Sequence, residues 1–380
     1  MHIVQIGPYP LSAECIRGGV EASVYGLSQE LAKSHTIEVF DIPRLNGRNI
    51  LESYPNLTIH RYCNYGKHNK DAIRVLPTII QDIVALRPDV CHIHGTSLFS
   101  RAVYIALQKS GISTMLTVHG LLKVEKQNTL RKKFSLKGLY QYLVQTYSEK
   151  SLLSICPRII VDTEYVAQAI TAYQLKNEPQ MHVVPQGIDE HYYDLQCDKD
   201  SKIILSVGSI SKRKGHLLLI KAFEQVCLMG LDVQLKIVGF VAENEYYQEI
   251  KTYISQSPFQ NRISLMTNAS HDDILIAYQS ARIFALHTQE ESQGIVFAEA
   301  MATGLPVVST TVGGVPYVVE NSVSGLLTPY ADVHAMATSM VNLLSDDSLW
   351  CEMSKKAKER SKHYSWSDIA EAILSIYHGS

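Results

Sequence analysis

The sequence predicts an α/β protein with two doubly wound parallel sheets, and two observations support this fold class. Short apolar segments alternate with amphipathic ones along nearly all of the 380 residues, as expected for parallel strands joined by helices. These segments form two series separated by a polar stretch at 189–200, which follows the turn-forming Gly187 and in which the periodicity lapses. The length also suits two domains of ordinary size.

Twelve short apolar runs are predicted to be strands, with six in each series. Those of the first series lie at 3–6, 36–40, 90–93, 113–118, 158–161 and 182–184. Those of the second series lie at 203–207, 234–238, 262–265, 283–286, 306–309 and 325–327. The last segment, 365–374, begins with a good helix cap and carries an apolar stripe, which predicts a terminal helix.

Composition narrows the class of protein. A hydrophobic content of 46% and a mean hydropathy near zero are typical of a soluble globular protein. The net charge of −2 gives no general attraction to nucleic acid. No apolar run approaches the roughly 18 residues of a membrane span, and residues 1–7 lack a signal-peptide pattern, so we expect a cytoplasmic protein. Seven scattered cysteines, without a Cys-x-x-Cys pair, favour neither disulfides nor a zinc site.

Two glutamates eight positions apart, Glu291 and Glu299, form the most informative pattern. If a helix begins near Ile295, the first carboxylate lies in a strand-to-helix loop and the second lies one turn inside the helix, so that both face one crevice. Gly294 would let a ligand approach the backbone, and the free amides of Ile295 and Val296 would point at an anion. A ligand with hydroxyls at both ends and phosphates in the middle fits this layout.

The run at 291–299 resembles the Glu-x7-Glu signature of retaining nucleotide-sugar glycosyltransferases of the GT-B fold, most closely those of glycosyltransferase family 4. The likeness extends through the helix at 298–302, the strand after Gly304 and the Gly-Gly-Val-Pro loop at 313–316. It implies two Rossmann-like doubly wound parallel-sheet domains facing a central cleft. The acceptor domain would comprise 1–190, completed by a C-terminal helix at 364–380, and the nucleotide-sugar donor domain would comprise 191–363.

Parallel sheets of this kind bind ligands at the carboxyl ends of their strands, where two further segments stand out. The doublet Gly18-Gly19 precedes the first helix, and the resemblance implies that this loop binds the donor. Lys214 matches the basic residue of the family motif after strand 203–207, and we infer from its position that Arg213 is a second diphosphate ligand. The chain departs from many relatives at Ser209, where they have arginine.

The resemblance also assigns expected roles to two histidines and to the two glutamates. His119 matches the family position beside the transferred sugar, whereas His94 matches a loop-supporting pattern and is expected to be structural. Glu299 would accept hydrogen bonds from ribose hydroxyls. Glu291 would contact sugar hydroxyls or the reacting centre. At Tyr317 the relatives usually have glutamate, and its role stays open.

These residues predict a transfer reaction that needs no metal. Negative charge on a departing diphosphate must be neutralised, and the chain offers cations and helix-start amides for this but no convincing Asp-x-Asp arrangement for a divalent ion. The resemblance implies a retaining hexosyltransferase that moves a sugar from a UDP- or GDP-linked donor to a saccharide or lipid-linked saccharide. Cell-surface polysaccharide or glycolipid biosynthesis is the expected setting. No cofactor beyond the nucleotide-sugar co-substrate is expected, and no nucleic acid.

Other functions stay open at this point. A nucleotide-sugar epimerase or a hydrolase has the same fold, and fold alone does not distinguish them. From another class, a catalytically inactive scaffold would bind a nucleotide-sugar without turnover. Dinucleotide oxidoreductases and P-loop enzymes fit poorly, because no predicted strand is followed by their glycine-rich motifs.

The segment 121–150 suggests contact with a membrane surface. It contains seven basic and two acidic residues, interleaved with leucines and aromatic residues. Such a segment either rests on anionic lipid at the inner face of the plasma membrane or forms a solvated helix face, and the two interpretations have equal support. Neutralising Arg131, Lys132 and Lys133 would separate them.

Overall fold

The computed structural model describes residues 1–12, 16, 18–41, 49–62, 73–121 and 136–379. The described residues form two compact units. The first unit combines the two ends of the chain, with residues up to Gly187 and then from Trp366 onward. The second unit is continuous from Ile188 to Ser365.

The first unit contains an eight-stranded sheet in the order β3-β4-β2-β1-β5-β6-β7-β8. Neighbouring strands are parallel except for β3, which is antiparallel to β4. The strands are β1 His2–Ile6, β2 Thr36–Asp41, β3 Ile50–Tyr54, β4 Leu57–Arg61, β5 Val90–His94, β6 Thr114–Val118, β7 Arg158–Val161 and β8 Gln180–Val183. The helices between them are α1 Gly19–Ala32, α2 Leu76–Leu86, α3 Leu98–Lys109, α4 Leu136–Ile155 and α5 Glu164–Thr171.

The second unit contains a six-stranded parallel sheet in the order β11-β10-β9-β12-β13-β14. Its strands are β9 Ile203–Val207, β10 Gln234–Val238, β11 Ile263–Met266, β12 Ile283–Leu286, β13 Val307–Thr310 and β14 Gly325–Thr328. Its helices are α6 His191–Asp194, α7 His216–Leu228, α8 Asn244–Gln256, α9 His271–Gln279, α10 Ile295–Ala302, α11 Val315–Val318, α12 Val333–Ser345 and α13 Asp347–Ser361. Strands β9 and β12 are almost wholly buried, as expected for parallel strands covered on both faces.

The last helix, α14 Trp366–His378, completes the first unit. Its apolar residues Ile369, Ile373 and Tyr377 join a buried cluster that includes Val24 of α1. Two glycines make room for the indole of Trp366, because a Cβ would lie 2.2 Å from that ring at Gly26 and 2.5 Å at Gly187. The other apolar face of this sheet packs in a second cluster, and the second unit has one cluster of its own.

The predicted fold class is confirmed, and each of the twelve predicted strands corresponds to one in the structure, with shifts of up to two residues at the ends. Two strands were missed. β3 is an edge strand whose residues are mostly exposed, so it lacks an apolar face. β4 alternates buried and half-buried residues but includes the polar His60 and Arg61, so its periodicity is weak. Arg61 is nevertheless buried, because Asp41 and Glu52 pair with it.

Candidate functional site

The loop between strand β12 and helix α10 carries the first of the two glutamates. The strand ends at Leu286 and the helix begins at Ile295, so the structure places Glu291 in the loop and Glu299 inside the helix. Gly294 precedes the helix with a φ of 81°, a left-handed conformation that glycine adopts readily. A Cβ at Gly294 would lie 2.6 Å from the ring of Phe297, so the turn requires glycine for space as well.

Glu291 is the centre of a buried ion cluster. Lys214 Nζ donates to its Oε1 at 2.5 Å, and Arg213 donates to its Oε2 at 3.2 Å. The hydroxyl of Thr288 donates to Oε1 at 3.0 Å. The exposed fractions of Glu291 and Lys214 are only 5% and 7%. The two cations that the sequence predicted as diphosphate ligands therefore lie together against one carboxylate.

Burial and neighbouring charges shift the pKa values of Glu291 and Lys214 in opposite directions. Burial raises the pKa of the Glu291 carboxyl, but the neighbouring Lys214 and Arg213 outweigh it and hold that pKa below its usual range. Burial lowers the pKa of the Lys214 ammonium, and this is only partly offset by Glu291. A charge at this depth is tolerated because it is paired, and removing one partner of a buried pair typically costs about 3–5 kcal/mol.

A second loop brings the cations to this position. The turn Lys212–Lys214 lies between β9 and α7 and ends at Gly215, whose φ is 65°. A Cβ on Gly215 would lie 1.9 Å from the carbonyl oxygen of His287, so the glycine lets the two loops touch. Arg213 also donates to the carbonyl of Glu290 at 2.7 Å. Ser209 lies at the start of the same connection, and nothing in the structure explains its departure from the relatives.

Within the described residues, Glu299 forms no ion pair, unlike Glu291. The hydroxyl of Tyr278 donates to its Oε2 at 2.8 Å. Burial raises the pKa of Glu299 to about 7, against the hydrogen bond from Tyr278 and the charge of Lys214, while Asp189 adds to the rise. The positive charge of Lys214 lowers the pKa of both carboxyl groups. Ile295 and Val296, whose amides were predicted to bind phosphate, form the first turn of α10.

The Glu291 loop also packs against the glycine doublet Gly313-Gly314, a contact that the sequence did not predict. The amide of Gly314 donates to the Glu291 carbonyl at 2.8 Å. A Cβ at Gly313 would lie 2.2 Å from that same carbonyl oxygen, and one at Gly314 would lie 1.8 Å from the Ser292 carbonyl. The sequence contained a sign of this contact, because two adjacent glycines often mark a place where two backbone segments approach closely. Tyr317, which follows in α11, is 38% exposed, and its role stays open.

The glycine doublet of the first unit has a simpler geometry. Gly18 precedes helix α1 with an extended backbone, and a Cβ there would meet nothing within 4 Å. A Cβ at Gly19 would lie 3.3 Å from the Gln186 side chain. Only Gly19 is therefore short of space, and donor binding by the two amides stays a prediction.

His119 directly follows strand β6 and belongs to a buried polar cluster. Its Nδ1 lies 3.2 Å from Asp162 Oδ2, and its Nε2 lies 3.0 Å from His94 Nδ1. Gln186 donates to the same Asp162 oxygen at 2.5 Å. His94, expected to be structural, thus contacts the predicted sugar-binding residue directly.

Sequence reasoning missed one further member of this cluster, His92. Its ring lies 4.2 Å from that of His94, centroid to centroid. The signal was available, because alternate residues of a strand point to the same face and these two histidines are separated by one residue in β5.

One group in the described residues has metal-ligand spacing, Asp189 with His191 and His271. The Oδ1 atom of Asp189 already accepts from the backbone amide of His191 at 2.9 Å and lies 2.6 Å from its ring. The side chain of His191 is 66% exposed, and hydrogen bonding to Asp189 raises its pKa. These contacts describe an exposed ion pair.

Residues 122–135 of the predicted membrane-contacting segment, which include Arg131, Lys132 and Lys133, lie outside the described residues. In its described part, Leu143 and Tyr147 of helix α4 are 56% and 71% exposed. Where the structure is described, no helix combines the length and apolar character needed to cross a bilayer.

Comparisons with known proteins agree with this geometry. The sequence profile "Glycosyltransferase Family 4" matches residues 17–192, and the profile "Glycosyl transferases group 1" matches residues 188–364. The chain is 24% identical over 310 residues to a D-inositol 3-phosphate glycosyltransferase of Mycolicibacterium vanbaalenii, covering 76% of the chain and 66% of the relative. It is 27% identical over 297 residues to a phosphatidyl-myo-inositol mannosyltransferase of Mycolicibacterium smegmatis, covering 76% of the chain and 70% of the relative.

Solved structures are similar over nearly the full length. Sucrose-phosphate synthase from Thermosynechococcus elongatus has a TM-score of 0.79 at 21% identity, covering 99% of this chain and 98% of that one. Anabaena HepE, solved in complex with UDP and glucose, has a TM-score of 0.77 at 17% identity, with 100% of both chains covered. By its two profile matches and its two parallel-sheet units, the chain belongs to glycosyltransferase family 4, the glycosyl transferases group 1, and has the GT-B fold.

Proposed function

We propose that the chain is a retaining, metal-independent hexosyltransferase that moves a sugar from a UDP- or GDP-linked donor to a saccharide or lipid-linked acceptor. The observation that carries this proposal is the contact of Lys214 and Arg213 with the buried carboxylate of Glu291. Cations and carboxylates in one site suit a ligand that has both a diphosphate and hydroxyl groups.

The chemistry follows from where charge develops. As the bond from the anomeric carbon to the diphosphate breaks, negative charge grows on the phosphate oxygens, and Lys214 and Arg213 supply fixed positive charge there. The N-terminal amides of α10 add a positive dipole end. These groups take the role that a divalent ion has in other transferases. Glu299 accepts from the ribose hydroxyls, and Glu291 accepts from the sugar.

Retention of configuration requires the acceptor oxygen to approach on the face that the diphosphate leaves. In this proposal the bond from the anomeric carbon to the diphosphate breaks, the anomeric carbon forms its new bond to the acceptor oxygen, and a phosphate oxygen of the leaving group takes the proton of the acceptor hydroxyl. His119 is proposed to contact the transferred sugar. No covalent intermediate on Glu291 is needed.

The acceptor class is proposed from the relatives and from the surface of helix α4. The names of two relatives specify inositol phosphate and phosphatidylinositol acceptors, so phosphorylated or lipid-linked polyols join saccharides as candidates. Exposed Leu143 and Tyr147 are four residues apart on α4 and follow the basic run at 131–133. A peripheral contact with anionic lipid would bring such an acceptor to the enzyme.

The test is a panel of UDP- and GDP-sugars, with release of the nucleoside diphosphate measured with and without EDTA and with and without acceptor lipids. We expect release that depends on an acceptor and is unchanged by EDTA. Lys214→Ala is expected to lower turnover by at least tenfold with a smaller change in donor affinity. Lys212→Ala is the matched control, since that lysine is 54% exposed and pairs with Glu249 rather than with Glu291.

The outcomes separate the alternatives. Donor hydrolysis without acceptor product would indicate a hydrolase, and interconversion of the sugar would indicate an epimerase. Donor binding without any turnover would indicate an inactive scaffold. Loss of activity in EDTA would overturn metal independence. For the lipid contact, sedimentation with anionic vesicles should weaken when Arg131, Lys132 and Lys133 are replaced by glutamine, and unchanged sedimentation would remove it.

A further inference from the structure

A chain of hydrogen bonds connects His119 to the last helix of the first unit. His94 Nδ1 lies 3.0 Å from His119 Nε2, and His94 Nε2 lies 2.6 Å from Gln5 Oε1. The amide nitrogen of Gln5 donates to the Tyr377 hydroxyl at 3.5 Å, which lies 2.5 Å from His92 Nδ1. All five side chains are buried, with exposed fractions of 0–9%.

His92 and His94 are neutral, so in each ring one nitrogen donates a hydrogen bond and the other accepts one. Burial lowers the pKa of His92 to about 3, and burial with the neighbouring histidines holds the pKa of His94 well below its ordinary value. A neutral imidazole has one N–H donor and one acceptor nitrogen. If Gln5 presents its oxygen to His94, then His94 donates from Nε2 and must accept at Nδ1 from His119.

At the His119 end of this series of hydrogen bonds, a carboxylate fixes which ring nitrogen carries a proton. His119 Nδ1 faces Asp162 Oδ2 at 3.2 Å, and with this oxygen as the acceptor the nitrogen carries the proton of the hydrogen bond. With the oxygen of Gln5 toward His94, His119 therefore carries protons on both nitrogens. With the amide of Gln5 reversed, His94 donates to His119 instead, and His119 is neutral. The orientation of one amide decides the charge of His119.

We propose that Gln5 is a positioning residue that sets the protonation of His119 through His94, with Tyr377 holding the amide of Gln5 in orientation. Neither Gln5 nor Tyr377 contacts the sugar in this assignment. The inference rests on the proposed function only in placing His119 beside the transferred sugar. Because a change of charge there acts on the chemical step, loss of the relay should affect turnover more than donor binding.

The test is imidazole nitrogen NMR of the full chain labelled with ¹⁵N-histidine. In the wild type we expect His94 to be protonated at Nε2 and His119 at both nitrogens. In Gln5→Met, which keeps the size of the side chain but has no amide, we expect the His94 proton at Nδ1 and a neutral His119. Tyr377→Phe should give a mixture of the two states. Tyr104→Phe is the matched control, because its hydroxyl donates to the backbone carbonyl of Ile155 and takes no part in the hydrogen bonds described above.

A kinetic arm accompanies the spectra. Gln5→Met should lower kcat at least fivefold with donor KM changed less than twofold, and Tyr104→Phe should change neither. Identical His94 and His119 signals in the wild type and Gln5→Met would overturn the inference, whatever the activity. If the wild type transfers no sugar, the proposed function fails, while the nitrogen signals still decide the relay. Thermal denaturation of each variant identifies any that fails to fold. If Gln5→Met does not fold, the nitrogen signals of Tyr377→Phe are compared with those of the wild type instead.

Discussion

At the residue scale, Glu291 is both a proposed ligand of the sugar and the counterion of the cations proposed to bind the diphosphate. Lys214 and Arg213 are already paired with this carboxylate, so a diphosphate must compete with it for them. In the proposed mechanism, phosphate oxygens replace the Glu291 carboxylate as the partner of the two cations, and Glu291 then accepts from hydroxyl groups. On this proposal the ion cluster is an exchangeable contact, in which one negative partner is replaced by another.

This competition predicts an unusual effect of Glu291→Gln. The substitution removes the competing charge but keeps the shape, so affinity for free UDP or GDP should rise by about 1 kcal/mol, or roughly fivefold, while transfer falls. Isothermal calorimetry with the nucleoside diphosphate measures the first effect. Glu290→Gln, on the same loop, is the control. Weaker diphosphate binding in Glu291→Gln would mean that the carboxylate does not compete.

Glu299 predicts a pH dependence of donor binding. Its pKa is raised to about 7, so the fraction ionised increases as the pH rises from 6 to 8. The ionised carboxylate of Glu299 accepts hydrogen bonds from ribose hydroxyls more strongly than the protonated carboxyl does. Affinity for the nucleotide-sugar should therefore increase across this pH range. Glu299→Ala should weaken binding by about 1.5–3 kcal/mol at pH 8 and flatten the profile. Calorimetry over the pH series is the measurement, and a profile that keeps its slope in the variant would assign the titration to another group.

At the element scale, the docking of helix α14 depends on two glycines that face Trp366. Gly26→Ala would place a methyl group 2.2 Å from the indole, and we expect this overpacking to lower the free energy of unfolding by about 1–3 kcal/mol. Urea denaturation measures it. Gly18→Ala is the control, because its backbone is extended and a Cβ there meets nothing within 4 Å. Equal stability of the two variants would show that the helix shifts at no cost.

Some strands and contacts could be predicted from the sequence, and others could not. Parallel strands buried on both faces are mostly apolar runs, so β9 and β12 were predicted with their observed ends. The edge strand β3 has no such signal. Placement of Glu291 and Glu299 followed from local spacing, whereas their partners Lys214 and Tyr278 are 77 and 21 residues away, and only the folded sheet brings them together. The Tyr377 contact with His92 spans 285 residues and had no sequence signal.

At the scale of the whole molecule, the first unit is built from both ends of the described chain. Helix α14 covers the apolar cluster that α1 and the sheet share, so removing residues 366–379 should expose Leu27 and Val184. We expect hydrogen exchange to accelerate across residues 1–187 of such a truncation and to stay slow across 188–365. The second unit is the internal control, since its cluster contains no residue of α14. Equal loss of protection in both units would contradict this.

The discontinuity of the first unit also affects how the protein is made. The ribosome synthesises residues 188–365 between the two parts of that unit, which takes roughly 10–40 s at ordinary rates of translation. During that interval the apolar face awaiting α14 is in water, whereas the second unit can fold as soon as its own continuous segment has emerged. The order of maturation therefore runs opposite to the order of synthesis, and the half-built first unit is the stage at which a nascent-chain chaperone would be needed.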